Sequence, residues 1–246
     1  MRRVIGAAVL GCALLAAGGA QAAAVAIENA NFNAGWSQAD GDFRPGHAGG
    51  NPDGWGASGG SSTGHWNPTV ASFVNEAAHG GVGWTQGAGI TAASNPGMLA
   101  QKLVGHTIQA NTRYTLTMDV GRQAGVEGVF GYEIGLLAGG LLDGTGEIFA
   151  KLTDATSAIT VLPGQFGTVS LVFDTGASDA FLGKNLYILI GGTGRGAAFD
   201  NASLDATPLQ VSPVPEPPTW AMMIVGFGGV GSMIRTRRHK SAVAYA

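Results

Sequence analysis

Between residues 23 and 207 several runs alternate apolar and polar positions or are rich in β-branched and aromatic residues, and no long stretch shows the three-and-four spacing of an amphipathic helix. In Arg113 to Gly121 (RYTLTMDVG), Tyr114, Leu116, Met118 and Val120 fall on one face, and Thr115, Thr117 and Asp119 on the other. Phe130 to Ala138 (FGYEIGLLA), Gly167 to Asp174 (GTVSLVFD), Asn185 to Gly191 (NLYILIG) and Ala197 to Thr207 (AAFDNASLDAT) read as further strands. Val25 to Phe32, Val70 to Val74 and Met98 to Val104 are shorter candidates. Gly, Asn and Asp clusters punctuate them. Many short strands with turn signals predict an all-β fold, an antiparallel jelly-roll β-sandwich over 23–207.

The ends of the chain break this pattern. MRRVIGAAVLGCALLAAGGAQA has a basic start at Arg2 and Arg3, an apolar core, and small residues at Ala20 and Ala22. It reads as a secretory signal peptide over 1–22, cut after Ala22, with Ala24 as an alternative. A lipoprotein signal ending at Cys12 would leave too short an apolar core. At the other end, a Pro-rich linker (208–219) leads to an apolar segment and basic tail (220–246). The 15 residues from Trp220 to Ile234 fall short of the roughly 20 that a spanning helix prefers.

Composition sharpens the picture. The chain has 246 residues, 42 of them Gly, and only 12% are charged. Residues 23–217 hold 7 basic and 16 acidic side chains, a balance of −9. That excludes a nucleic-acid partner, which needs a positive footprint. Cys12 is the only cysteine, so 23–246 form neither a disulfide nor a cysteine-based zinc site.

Residues 34–97 differ in texture. They hold Trp36, Trp55, Trp66 and Trp84 among many glycines, with His47, His65 and His79. Flat aromatics stack on sugar rings, so these four tryptophans are the candidate ligand-binding residues; the competing reading is that they cover an open end of the sandwich. The histidine spacings fit no zinc template, and there is no G-x-S-x-G elbow. Gly191 to Gly196 (GGTGRG) lacks the Lys of a phosphate loop and leads into a strand, which predicts a hairpin turn. Glu127, Glu133 and Asp143 are the weighed glycosidase acids, none favoured over the other carboxylates.

Two resemblances add to these readings. Val214-Pro215-Glu216-Pro217, the Trp220-Ala221 apolar segment, then Arg235, Arg237 and Arg238 resemble the PEP-CTERM sorting signal in its Trp-Ala variant. The sorting motif is Pro215, Glu216, Pro217, Trp220, Arg235, Arg237 and Arg238. That resemblance implies a Gram-negative bacterium, signal peptidase and exosortase as processing partners, and transient inner-membrane anchoring through a helix at 220–234. The final place would be the cell surface, a biofilm or the extracellular matrix. IENANFNAGW, LAQKL, ANTRYTLTMDVG and AAFDNASL, in that order, resemble galactose-binding-like jelly rolls and carbohydrate-binding modules. Such folds often hold a structural calcium where first and last strands meet, which points to Glu28 and Asp200 as metal ligands. The competing reading of Asp200-Asn201 is a local turn or bulge.

The sequence reading is therefore an exported, non-enzymatic protein that binds or organises exopolysaccharide, with no cofactor beyond structural calcium. The alternatives are a self-associating adhesive protein without sugar specificity, and a hydrolase on the same fold.

Overall fold

The alternation in RYTLTMDVG becomes the spine of the molecule. In the computed structural model, which describes residues 21–34, 43–45, 51–58, 63–69, 71–73, 82–85, 97–140, 146–209, 221–231 and 235, twelve strands form two antiparallel sheets. In chain order they are β1 (Ala23–Val25), β2 (Phe43–Pro45), β3 (Gly56–Ser58), β4 (Thr63–Trp66), β5 (Val82–Thr85) and β6 (Met98–Thr107). Then come β7 (Thr112–Arg122), β8 (Tyr132–Ala138), β9 (Glu147–Thr153), β10 (Gln165–Asp174), β11 (Asn185–Gly192) and β12 (Ala197–Pro208).

One sheet runs β10-β7-β12-β5-β4-β2, with β1 also paired to β12; the other runs β3-β6-β11-β8-β9. From β6 onward, four of the five strand-to-strand links up to β11 and the link to β12 change sheet, and only β8 to β9 stays within one. Each crossing lets the next strand bury its apolar side against the sheet just left. Tyr114, Leu116, Met118 and Val120 of β7 point inward and meet Ile134 and Leu136 of β8 and Ile188 and Ile190 of β11 in one core. All of these side chains are at most 1% exposed.

The long strands match the sequence expectation within two residues or so. Three expectations do not hold. Val25 to Phe32 stops being a strand after Val25 and turns, because Asn29 and Phe32 take left-handed backbone with φ of 47° and 53°. Such a φ is costly for a bulky residue; burial of the Phe32 ring against Trp55, centroids 4.9 Å apart, holds it there. Within 70–74, the described residues 71–73 form a turn, and Phe73 packs onto Gly121 and Phe166. GGTGRG is a turn, but not a hairpin: β11 lies in one sheet and β12 in the other. In 34–97, read as loop, β2, β3, β4 and β5 add short paired strands.

The chain divides into two units, 1–209 and 210–246. In the second, residues 221–231 are helical with exposed side chains. Eleven helical residues span about 16 Å, against the roughly 30 Å hydrocarbon thickness of a bilayer. Among the described residues no helix is long and apolar enough to cross a membrane, which corrects the expected transmembrane sorting helix over 220–234. Trp220, Pro215, Glu216, Pro217, Arg237 and Arg238 lie outside the described residues; Arg235 is helical and exposed.

Candidate active site at the mouth of the sandwich

Three connections meet at one end of the sandwich: 123–131 between β7 and β8, 154–164 between β9 and β10, and 193–196 between β11 and β12. Register places them together. Arg122 pairs with Gln165 and with Ala197, Glu133 with Thr153, and Gly192 with Tyr132. Arg122 continues the inward series of β7, so alternation carries a guanidinium to the rim of the core. Tyr132 does the same for β8, whose inward set is Tyr132, Ile134, Leu136 and Ala138.

These residues enclose a cavity of about 310 Å³ lined by Arg122, Gly128, Val129, Phe130, Tyr132, Asp154, Ile159, Thr160 and Val161. Phe130 and Tyr132 form an aromatic wall, ring centroids 5.9 Å apart at 52°. The Arg122 guanidinium stands 5.2 Å from the centre of the Phe130 ring, within cation–π range. Val161 is buried in the core, whereas Val129 is 74% and Ile159 37% exposed, so the lip is apolar and open to solvent. Asp154 is the one carboxylate in the lining, and Thr160 adds a hydroxyl.

The frame of the cavity is fixed by backbone bonds. Gly131 O accepts from Thr193 N–H at 3.0 Å and Gly194 N–H at 3.1 Å; Val129 O accepts from Arg195 N–H at 2.8 Å. A Cβ at Gly194 would collide with the Val129 carbonyl oxygen, so this contact requires glycine. Gly164 N–H donates to Arg122 O at 2.7 Å, and Asp154 N–H to Tyr132 O at 3.2 Å. A site held this way is pre-organised on strand ends.

Tyr132 is 1% exposed, and its Oη is buried without a hydrogen-bond partner. Burial raises its pKa above the ordinary phenol range. The charge of Asp154 pushes the same way; the Ser157 hydroxyl leans toward the phenol and opposes the rise, without reaching hydrogen-bonding geometry. The phenol therefore stays neutral and keeps an O–H that can donate.

The residues singled out from sequence lie elsewhere. Trp55 and Trp66 are 4% and 6% exposed, packed on Phe32 and Phe73 respectively. Trp84 sits on β5 opposite Gly64 and Ala198. Trp36, His47, His79 and Asp143 fall outside the described residues; His65 is buried on β4. Glu133 pairs with Lys151 at 3.4 Å, and Glu127 is exposed.

Glu28 and Asp200 lie on segments that do meet: β1 pairs with β12, and Ala202 N–H donates to Ala30 O at 2.8 Å. Glu28 is clamped to Gln101 by two bonds, N–H to Oε1 at 2.9 Å and Nε2–H to its carbonyl at 2.8 Å. Asp200 is 3% exposed at a bulge of β12, where Asn201 takes φ 49° and donates its N–H to Asp200 Oδ1. The bulge reading of Asp200-Asn201 is thus what the backbone adopts. Among the described residues no three His, Cys, Asp or Glu side chains stand close enough to hold a metal. A calcium there would rely on other oxygens.

Known structures clarify what the cavity belongs to. The Stig cyclase Fisc from Fischerella sp. TAU, solved in complex with (3Z)-3-(1-methyl-2-pyrrolidinylidene)-3H-indole, is 25% identical, with a TM-score of 0.61 over 77% of this chain and 100% of that one. A second structure of a cyclase from Fischerella sp. TAU is 24% identical, with a TM-score of 0.60 over 78% and 100%. An apo cyclase from Fischerella sp. is 23% identical, with a TM-score of 0.61 over 77% and 98%. No curated protein matches the chain.

These findings, with the family match over residues 23–205, correct four expectations. The identification as a PEP-CTERM protein with a carbohydrate-binding sandwich falls, because it weighed a terminal motif over the folded domain. The non-catalytic role falls with it, as does the expectation of no enzyme. Exosortase and exopolysaccharide fall as partners, because the family is one of substrate-processing enzymes. The sequence reading searched for catalytic motifs with fixed spacing, but this cavity draws single residues from three separate connections. Matched by the HpiC1 cyclase family across 183 of its 246 residues, the chain belongs to the HpiC1-like cyclases.

Proposed function

We propose that this protein closes a ring in a compact, unsaturated, mostly apolar substrate bound at the mouth of the sandwich. The observation that carries this is the cavity itself: about 310 Å³, aromatic and aliphatic walls, and one carboxyl group, Asp154. That volume sits at the small end of ligand sites and suits a molecule of two or three rings. An indole-bearing substrate is the favoured class, by likeness to the Fisc complex.

The chemistry needs no co-reactant. Asp154 takes up a proton from solvent and gives it to a double bond of the substrate. An internal π bond attacks the resulting cation, and one carbon–carbon bond forms. Loss of a proton back to the Asp154 carboxylate completes an isomerisation with no atom gained or lost. The faces of Phe130 and Tyr132 stabilise the cation while it lasts, and the apolar walls limit its capture by water. Incubation with an alkenyl-indole should give a product of unchanged mass with a new ring by NMR. Asp154→Asn should slow this by about 10²–10⁴-fold with an unchanged melting temperature; turnover at the unsubstituted rate would remove Asp154 from the mechanism.

A second reading rests on Asp200, 3% exposed and directly opposite Asp119 on the outer face of its sheet. If Asp200→Asn abolishes turnover in a folded protein and Asp154→Asn does not, the acid is Asp200.

Three further features belong to this reading. The sheet-changing links support a jelly-roll path for the sandwich. Export after cleavage at Ala22 is supported by the basic and apolar leader and by a first strand beginning at Ala23; N-terminal sequencing of the native protein tests it. Calcium held by Glu28 and Asp200 is supported by the pairing of their segments, and predicts a melting temperature that falls on chelation and recovers with calcium.

A further inference from the structure

The cyclase reading uses Asp154 and the aromatic wall but leaves Arg122 and the Tyr132 hydroxyl without a task. Arg122 is half-buried at an inward-facing position of β7. Among the described residues it makes no ion pair, and its guanidinium rests on the Phe130 ring, which offers it no hydrogen-bond acceptor. Tyr132, two residues along from Phe130, is 1% exposed with an Oη that has no partner. Both side chains line the same cavity. Each fact is costly alone. A buried hydroxyl without a partner forfeits its bond to water, and a cation at the rim of an apolar core is partly desolvated. A buried phenol without a partner and a half-buried guanidinium without an ion pair line the same cavity, and both can donate to one acceptor.

The rest of the mouth agrees. The stem of Arg195 crosses the lining residue Gly128, whose ideal Cβ position is 3.3 Å from Arg195 Cδ, so a second cation stands beside the opening. Asp154 opposes an anion, but it is exposed and screened by solvent.

We infer that Arg122 and Tyr132 form an anion subsite, and that the ligand of this cavity carries a carboxylate on its apolar, aromatic body. This rests on the cavity being the substrate site. The planar guanidinium matches two carboxylate oxygens. The Tyr132 O–H takes a lone pair of one of them, and the ring system of the ligand lies against Val129, Ile159 and Val161. The charge would fix the orientation of the body relative to Asp154.

The test compares indole-3-propionate with its primary amide at neutral pH, two probes of the same shape that differ in charge. Binding to the whole chain is measured by calorimetry, and the methyl signals of Ile159 and Val161 report occupancy of the cavity by NMR. The unsubstituted protein should bind the acid about tenfold or more tighter than the amide. Arg122→Met should erase that preference and leave amide binding in place. Tyr132→Phe should reduce it by about threefold or more. Arg113→Met, an exposed arginine already paired with Asp174, should leave it intact. Equal affinity for both probes, with the methyls shifted by each, would overturn the anion subsite and leave the cavity standing as the substrate site. A preference that survives Arg122→Met would overturn it too. If neither probe moves the methyl signals, the cavity takes no such ligand, and the subsite and the cyclase site fall together.

Discussion

The two ends of the sandwich are built from the same strands and solve opposite problems, and two tyrosines show how. At the closed end, Tyr114 opens the inward series of β7, and its Oη accepts from Gln109 N–H at 2.8 Å. Thr175 beside it is spent in the same way. Its hydroxyl accepts from Thr112 N–H at 2.9 Å and lies 2.7 Å from Gln109 O, to which it donates. Phe149, Phe173 and Phe181 shut the edge, with Phe149 stacked on Phe181 at 4.5 Å. At the mouth, Tyr132 has equal burial and no partner. One end gives its tyrosine oxygen a hydrogen bond, and the other leaves its tyrosine oxygen without one. Unmet hydrogen bonding in an otherwise well-packed fold is a mark of a ligand site.

The comparison can be broken in graded steps. The largest effect is expected from Leu116→Ala, which opens a void in the shared core and should cost about 2–5 kcal/mol in denaturant unfolding. Both ends should loosen together; a loss confined to one end would mean they are separate cores. Next comes the tyrosine pair. Tyr114→Phe orphans the Gln109 N–H and should cost about 1 kcal/mol. Tyr132→Phe removes a hydroxyl that bonds nothing, so its melting temperature should stay level or rise. Equal losses at both positions would show that Tyr132 is paired after all.

A pH profile sharpens the same contrast. Burial holds both phenols above their ordinary range of about 10, offset at Tyr114 by the bond from Gln109 and raised further at Tyr132 by Asp154. The unfolded phenol ionises first. The stabilisation is therefore complete below about pH 10 and drains away as pH climbs toward the folded values. Tyr114→Phe and Tyr132→Phe should each flatten the alkaline fall in unfolding midpoint; a fall unchanged in both would assign it to other groups. The smallest effect is Asp174→Asn. Arg113 holds the Asp174 carboxyl below its usual range, chiefly by their hydrogen bond, so the pair helps above that range and fails as acid protonates it. Both partners are exposed, and little change in melting temperature is expected at neutral pH.

How far the sequence could be read follows from where information is local. RYTLTMDVG and NLYILIG fix their strands because period-two alternation acts within a few residues. EIFAKLT, now β9, was invisible because only Ala150 is fully buried in it, as suits an edge. The mouth had a faint local signal, an arginine where the inward series of β7 expects an apolar residue. A charge at a strand end is ordinarily solvated, so that position alone does not mark a site. The Trp-rich segment gave the opposite error. Tryptophans among glycines suggested an open face, yet Trp55 and Trp66 found buried partners in Phe32 and Phe73, far away in sequence or in an unread turn.

By itself, then, the chain determined its all-β class, the inward faces of its long strands and its acidic balance, since these follow from side-chain alternation and composition. Tertiary structure decided which strands share a sheet, and that 123–131, 154–164 and 193–196 converge on one cavity. It also decided that Tyr132 and Arg122 share that cavity while Tyr114 is satisfied. The physical reason is that register and sheet crossing are set by long-range burial, and a cavity assembled from three strand ends leaves no periodic trace in any one of them.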